Sequence, residues 1–358
     1  MISSRRTEAV VAGLAFLVFL VGLALDARTA LAGYAVAWFA ISAVPIGALA
    51  VMFTTYLVRG GWTSDLHVIL SSAALTMPVT GLLFIPLLVG EGHIYPWAAD
   101  PGQLNAFKSV YLNEWFFTLR ALTYFVIWTI LAVWASRSYA NEARMIRTGS
   151  IGLIIWTLTA SFAGIDWIES FDSGFHSSIF GLLVIDHYLL AGLGFGVFVL
   201  AAGGSPRRMS VNAYAGTFLS VLLLWAYMHA MQYIIIWAGN IPSEVAWYLA
   251  RLENGWGVAL WALIILQFIV PFFALLSERV RGSIRALLWL GAATLALRYL
   301  EAAILVLPGL DVLNAGLLID IPAAIFFTGA VWLLAWRHSL ERALAELLSG
   351  RASASQHV

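Results

Sequence analysis

The chain has no cysteine. That excludes disulfides, cysteine-ligated zinc, iron–sulfur clusters and covalently attached c-type haem. Charge is scarce as well: 11% of the 358 residues are Asp, Glu, Lys or Arg, against about 25% in an ordinary soluble domain. There is no glycine-rich phosphate loop, no basic tract and no nucleic-acid module, so no nucleic-acid partner is expected. The 19 basic and 19 acidic residues balance, and net charge names no partner. What is abundant is apolar surface, at 62% of residues. A soluble core cannot hide that much, so the solvent must be lipid.

A membrane-crossing helix needs about 20 mostly apolar residues. Ten such stretches are present, at about 8–25, 31–58, 66–89, 113–136, 148–168, 177–202, 211–238, 255–277, 284–307 and 316–337. The expected fold is an all-α polytopic membrane protein, with one integral membrane domain over 1–337. GGWTSD (60–65), EGHIYPWAADPGQLNAF (91–107) and GGSPRRMS (203–210) read as turn-rich connections. Pro45 predicts a tilt or kink in span 2. HSLERALAELLSG after span 10 suits a short amphipathic helix on the membrane surface, followed by a disordered RASASQHV tail. The first apolar run, ending near Ala30-Leu31-Ala32, also has features of a signal peptide. Cleavage there would fall at the start of span 2, so a retained first helix is expected.

The basic residues are unevenly placed. Arg28, Lys108 and Arg251 fall in loops on one side, Arg120 and Arg298 fall within spans, and the other fourteen fall on the side of the N-terminus. The positive-inside rule then predicts cytoplasmic N- and C-termini. The opposite loops carry Asp26, Glu91, Asp100, Glu169, Asp172, Glu244, Glu253 and Asp311. They read either as the complement of that rule or as a docking face for a partner.

Ionisable residues inside spans cost about 2.5–3.5 kcal/mol each on insertion scales and are functional candidates by default. The candidates are Arg120, Asp166, Asp186, His187, His229, Arg298, Glu301 and Asp320, with Gln232 on the same helical face as His229. Their expected depths gather on the outer side, from six helices, as a proton path or quinone-proximal pocket would require. Plain charge pairing is the rival reading, with Arg120 and Arg298 each neutralising Asp166, Asp186 or Glu301. Arg298 and Glu301 are i, i+3 neighbours suited to each other, and Asp166 is near enough to the boundary to be wet. Asp186 and His187 are adjacent, so they point about 100° apart. His187 and His229 would suit axial haem ligation, but no second matched pair accompanies them, and no metal site is expected. His67, His93, His176 and His338 are expected to be solvated.

Spans 2–5 and 6–9 form two similar blocks. Each has a longer outer connection after its second member and an acid near the outer end of its last, Asp166 and Glu301. This predicts two four-helix bundles related by an axis along the membrane normal, with spans 1 and 10 peripheral.

Three stretches, YLNEWFFTLRALTYFVIW (111–128), FAGIDWIESFDSGFHSSIFGLL (162–183) and WAYMHAMQYIIIWAGNIPSEVAWYLARLENGWG (225–257), resemble in order and spacing the ActF subunits of bacterial alternative complex III, relatives of the NrfD/PsrC membrane subunits. The resemblance implies ten helices in an NrfD-like arrangement and a place in the inner membrane. It implies a quinol:cytochrome c (or other acceptor) oxidoreductase of several subunits, with haem and iron–sulfur centres in partner chains and an ActC-like sister subunit. A terminal oxidase is a further possible partner. Quinone or quinol and lipid are the implied ligands, and proton conduction beside a quinol is the implied role. The segments FDSGFHSS and MHAMQY depart from the family pattern and put His229 outside it. A stand-alone secondary transporter and a non-catalytic anchor are the alternative functions.

Overall fold

The computed structural model describes residues 5–58, 63–100, 106–172, 174–203 and 208–355. Parts of the three expected connections, with Arg59 and Arg207, and the end of the RASASQHV tail lie outside these residues. Ten helices are long and apolar enough to cross a membrane. They are span 1 (Arg5–Leu25), span 2 (Ala27–Leu57), span 3 (Thr63–Val89), span 4 (Glu114–Ser138) and span 5 (Glu142–Phe171), then span 6 (Phe180–Ala202), span 7 (Val211–Gly239), span 8 (Trp256–Leu276), span 9 (Ile284–Leu310) and span 10 (Leu317–Ala345). The chain is a multi-pass, all-helical membrane protein. The last helix runs on unbroken from Leu317 to Ser355, so the expected surface helix is a continuation of span 10.

Side chains cap the helix starts. Asp26 accepts from the Thr29 backbone N–H, Asn141 from Arg144 and Ser283 from Ala286, each satisfying a donor that a helix start leaves unpaired. Span 2 continues through Pro45 without interruption. Span 3 does not. Pro78 and Pro86 divide it into Thr63–Ala74, Met77–Leu82 and Ile85–Val89. Its polar groups are met by neighbouring spans: the Leu83 carbonyl accepts from Tyr34 (2.6 Å) and the Thr80 carbonyl from Trp38 (3.2 Å). Thr76 and Ser72 hydroxyls accept from Trp332 and Trp336. Broken helices persist in a membrane when other helices supply the missing partners.

The spans pack as two closed groups of four. In one, span 2 lies on spans 3 and 5, and span 4 closes the ring; in the other, span 6 lies on spans 7 and 9, and span 8 closes it. Spans 1 and 10 pair with each other on the flank of spans 2 and 3. Span 2 is the centre, 94% of its most apolar window being buried, against 17% in spans 1 and 8.

Spans 2 and 6 hold the two groups together at a glycine crossing. A Cβ on Gly47 would stand 1.7 Å from the Tyr188 carbonyl oxygen, and one on Gly192 would stand 2.2 Å from the Gly47 carbonyl carbon. Lipid offers no hydrophobic drive between helices, so close packing at small residues carries the association. Gly47→Ala and Gly192→Ala should therefore each destabilise by about 1–3 kcal/mol through overpacking, read as a lowered melting temperature in detergent. Gly216→Ala is the control, because its Cβ would meet nothing within 4 Å; it removes a helix-interior glycine at no steric cost and should not lower the melting temperature.

Candidate functional site

The buried charges separate into distinct places. The first is a clamp between spans 4 and 5. Arg120 donates to both Asp166 oxygens through Nε (2.8 Å) and a terminal nitrogen (3.0 Å), and Tyr124 donates to Oδ2 at 2.7 Å. A second Arg120 nitrogen donates to the Tyr111 carbonyl at 2.7 Å, and the guanidinium stacks over the Tyr111 and Phe116 rings. Ser170 donates to the Asp166 carbonyl. Asp166 is buried, not wet as its position near the boundary suggested. The fork and the phenol take up its lone pairs, so the clamp fixes the 106–111 helix against the bundle.

The second place is a junction centred on Glu301 of span 9. Its Oε2 lies 2.7 Å from His187 Nδ1 of span 6 and accepts from Arg298 one helical turn back. Its Oε1 accepts from Trp225 Nε1 of span 7 at 2.8 Å and faces His229 Nε2 at 3.3 Å. Arg298 donates on to Gln267 Oε1 of span 8 at 2.8 Å, and Gln267 donates to the Thr294 hydroxyl. Three helices of the second group thus meet at one carboxylate, and the fourth, span 8, is tied to it through Arg298. His187 is held on its other face by Phe39, with ring centroids 4.5 Å apart.

Gln267 owes its position to a local distortion. Residues Ile264–Ile269 form a π-helical turn. Pro271, four residues after Gln267, has no N–H to donate and its ring clashes with the Gln267 carbonyl, so the chain opens a wider turn there. Sequence reasoning passed over Gln267, Trp225 and Thr294. The available signals were an amide in the apolar run ALIILQFIVPFF four residues before a proline, and the i, i+4 spacings Trp225–His229 and Thr294–Arg298.

The junction has an unusual proton count. His229 Nδ1 lies 3.0 Å from the Trp225 carbonyl, which only accepts, so Nδ1 carries a hydrogen. A neutral His229 then has a bare Nε2 facing a carboxylate oxygen, two acceptors in contact. One added proton, on Nε2 or on Glu301, turns that contact into a hydrogen bond. His229 is also the member that reaches the outside of the bundle, its side chain 24% exposed, whereas the His187, Arg298 and Glu301 side chains are buried. Asp186 is buried one residue before His187, and neither of its oxygens has a hydrogen-bond partner among the described residues; the same holds for His187 Nε2 and Gln232 Nε2.

Gln232 accepts from Ser177 at 3.4 Å and makes no hydrogen bond to the junction among the described residues. Asp320 is buried against Gly22, Gly33 and Gly316, between spans 1, 2 and 10. His67, expected to be solvated, is buried and stacked on Tyr139 at 3.5 Å between ring centroids. Arg251, expected in an outer loop, is buried as well: it donates to the Trp247 and Leu305 carbonyls at 2.8 and 2.7 Å and stacks over the Trp247 ring. No group of three metal-ligating residues occurs among the described residues.

These features define a polytopic membrane protein with a buried ionic junction shared by one four-helix group. Comparison with protein-family models and with curated proteins finds no match.

Next to span 3, burial and the neighbouring Glu114 carboxylate push the Glu91 carboxyl up to about 7 from its ordinary 4.5. The folded state therefore holds this proton more tightly than the unfolded chain, and stability falls as pH rises from 4.5 to about 7. Glu91→Gln should flatten that part of the profile and raise the melting temperature at pH 8. Melting curves from pH 4.5 to 8 check it.

Proposed function

We propose that this chain is the NrfD-like membrane subunit of a respiratory quinol:cytochrome c (or other acceptor) oxidoreductase in a bacterial inner membrane. Its termini are cytoplasmic, and its redox centres reside in partner chains. Its part is to accept a proton from a quinol head group at His229 and pass it through Glu301 toward His187 and Asp186. One observation carries the reading: a carboxylate contacted from two other helices, with a surface-reaching histidine that becomes a donor to it only on protonation. The sequence resemblance over 111–257 and the absence of cysteine support it further. A general base within hydrogen-bond reach of a donor contributes about 10²–10⁴-fold in such transfers.

A transporter would favour broken spans at matching places in the two groups. Span 3 is broken, but span 7 lies within one uninterrupted helix, Arg208–Gly239.

Purification from native membranes in mild detergent should bring haem- and iron–sulfur-bearing chains with this one, seen by absorbance and mass. A chain that emerges alone, with neither redox partner nor quinone, sinks the reading. In the intact complex, Glu301→Gln should lower quinol-dependent proton release by roughly 10²-fold. Asp166→Asn should instead leave a poorly neutralised guanidinium and cost about 3–5 kcal/mol of stability, with little effect on turnover in the molecules that stay folded. Equal proton release in wild type and Glu301→Gln assigns the junction to structure alone.

A further inference from the structure

Away from the junction, spans 1, 2, 6, 9 and 10 enclose a cleft of ≈ 450 Å³, within the range of about 300–1,000 Å³ typical of small-molecule sites. Its walls are apolar, with Val11, Val44, Phe198, Leu295, Ile325 and Leu333 contributing one or two side chains from each span. Its polar end is Glu8, near the start of span 1. There Glu8 Oε1 pairs with Arg337 of span 10, while Glu8 Oε2 is buried with no partner among the described residues. A buried carboxylate oxygen without a donor is costly, and the arrangement asks for an N–H or O–H delivered from the cleft.

We propose that the cleft binds a phospholipid with a primary ammonium head group, of the phosphatidylethanolamine class. One acyl chain lies along the apolar wall, the ammonium donates to Glu8 Oε2, and the phosphate accepts from the Arg337 guanidinium, which has five N–H donors. The Glu8–Arg337 pair presents one acceptor and one cation side by side, and this head group carries one donor cation and one anion in the same order. A phosphatidylcholine matches the charges but has no N–H to donate. A phosphatidylglycerol lacks the cation, and a quinol donates but brings no anion to Arg337. The site is separate from the Glu301 junction and does not rest on the proposed respiratory role.

The full chain, purified in detergent, is loaded with equal amounts of dioleoyl phosphatidylethanolamine, phosphatidylcholine and phosphatidylglycerol, and retained lipid is read by native mass spectrometry. Wild type should keep phosphatidylethanolamine over phosphatidylcholine by roughly tenfold, the worth of one charge-assisted hydrogen bond. Glu8→Gln should lose that preference. Gly329→Leu, which begins in open space because a Cβ there meets nothing within 4 Å, should fill the cleft and lower retention of all three lipids while keeping the wild-type melting temperature. Equal retention of the first two lipids by wild type overturns the proposal. So does an unchanged preference in Glu8→Gln, undiminished retention in Gly329→Leu, or displacement of the bound lipid by a short-chain quinol.

Discussion

A carboxylate out of reach of water has to find every hydrogen bond inside the protein, and Glu301 finds its partners on two other spans besides making a pair on its own. Trp225, His187 and His229 reach it from spans 7 and 6, and Arg298 ties it through Gln267 to span 8. Removing any one partner would leave a polar group stranded in a low-dielectric interior, where its cost is highest. The second four-helix group is therefore built to a polar specification as well as to apolar packing. The first group has a simpler task, with the buried Arg120–Asp166 pair at its rim.

The two groups share a register that makes this contrast informative. Span 5 starts at Glu142 behind the cap Asn141, and span 9 starts at Ile284 behind the cap Ser283. Counting equally from those starts, Gly149 and Gly291 correspond. Both lie in close contact with a central span, Gly149 with Phe53 of span 2 and Gly291 with Gly194 of span 6. The same count aligns Trp156 with Arg298 and Thr159 with Glu301. In the first group, Trp156 donates to the Ile46 carbonyl and Thr159 accepts from Trp128. Neutral side chains hold helices together at these positions in one group, and an ion pair stands there in the other. The position is a junction in both, and charge is what distinguishes the second.

The span boundaries were legible because lipid imposes one simple rule, an apolar run long enough to cross, and the charge-poor sequence obeys it throughout. The pairing of Arg298 with Glu301 was legible from i, i+3 spacing. The partition of the buried charges was not, since depth along a helix says nothing about which neighbour a side chain faces. Asp320, Asp166 and Glu301 had similar expected depths yet sit in three different interfaces. His67 near a span end looked solvated, but Tyr139 from beyond span 4 covers it. Contacts between distant segments decide such cases, and no periodicity records them.

The π-helical turn of span 8 has a consequence for how the site tolerates change. A wide turn holds one residue more than an α-helical path over the same rise, so the segments on either side of it stand about 100° out of phase with a continuous helix. Deleting a single residue between Ile264 and Ile269 would let the helix close with its two halves kept in place, and would shift the residues of the turn itself. Gln267 would then swing off Arg298 although every side chain of the junction was still encoded. The geometry around Glu301 thus depends on the length of the chain as much as on its composition.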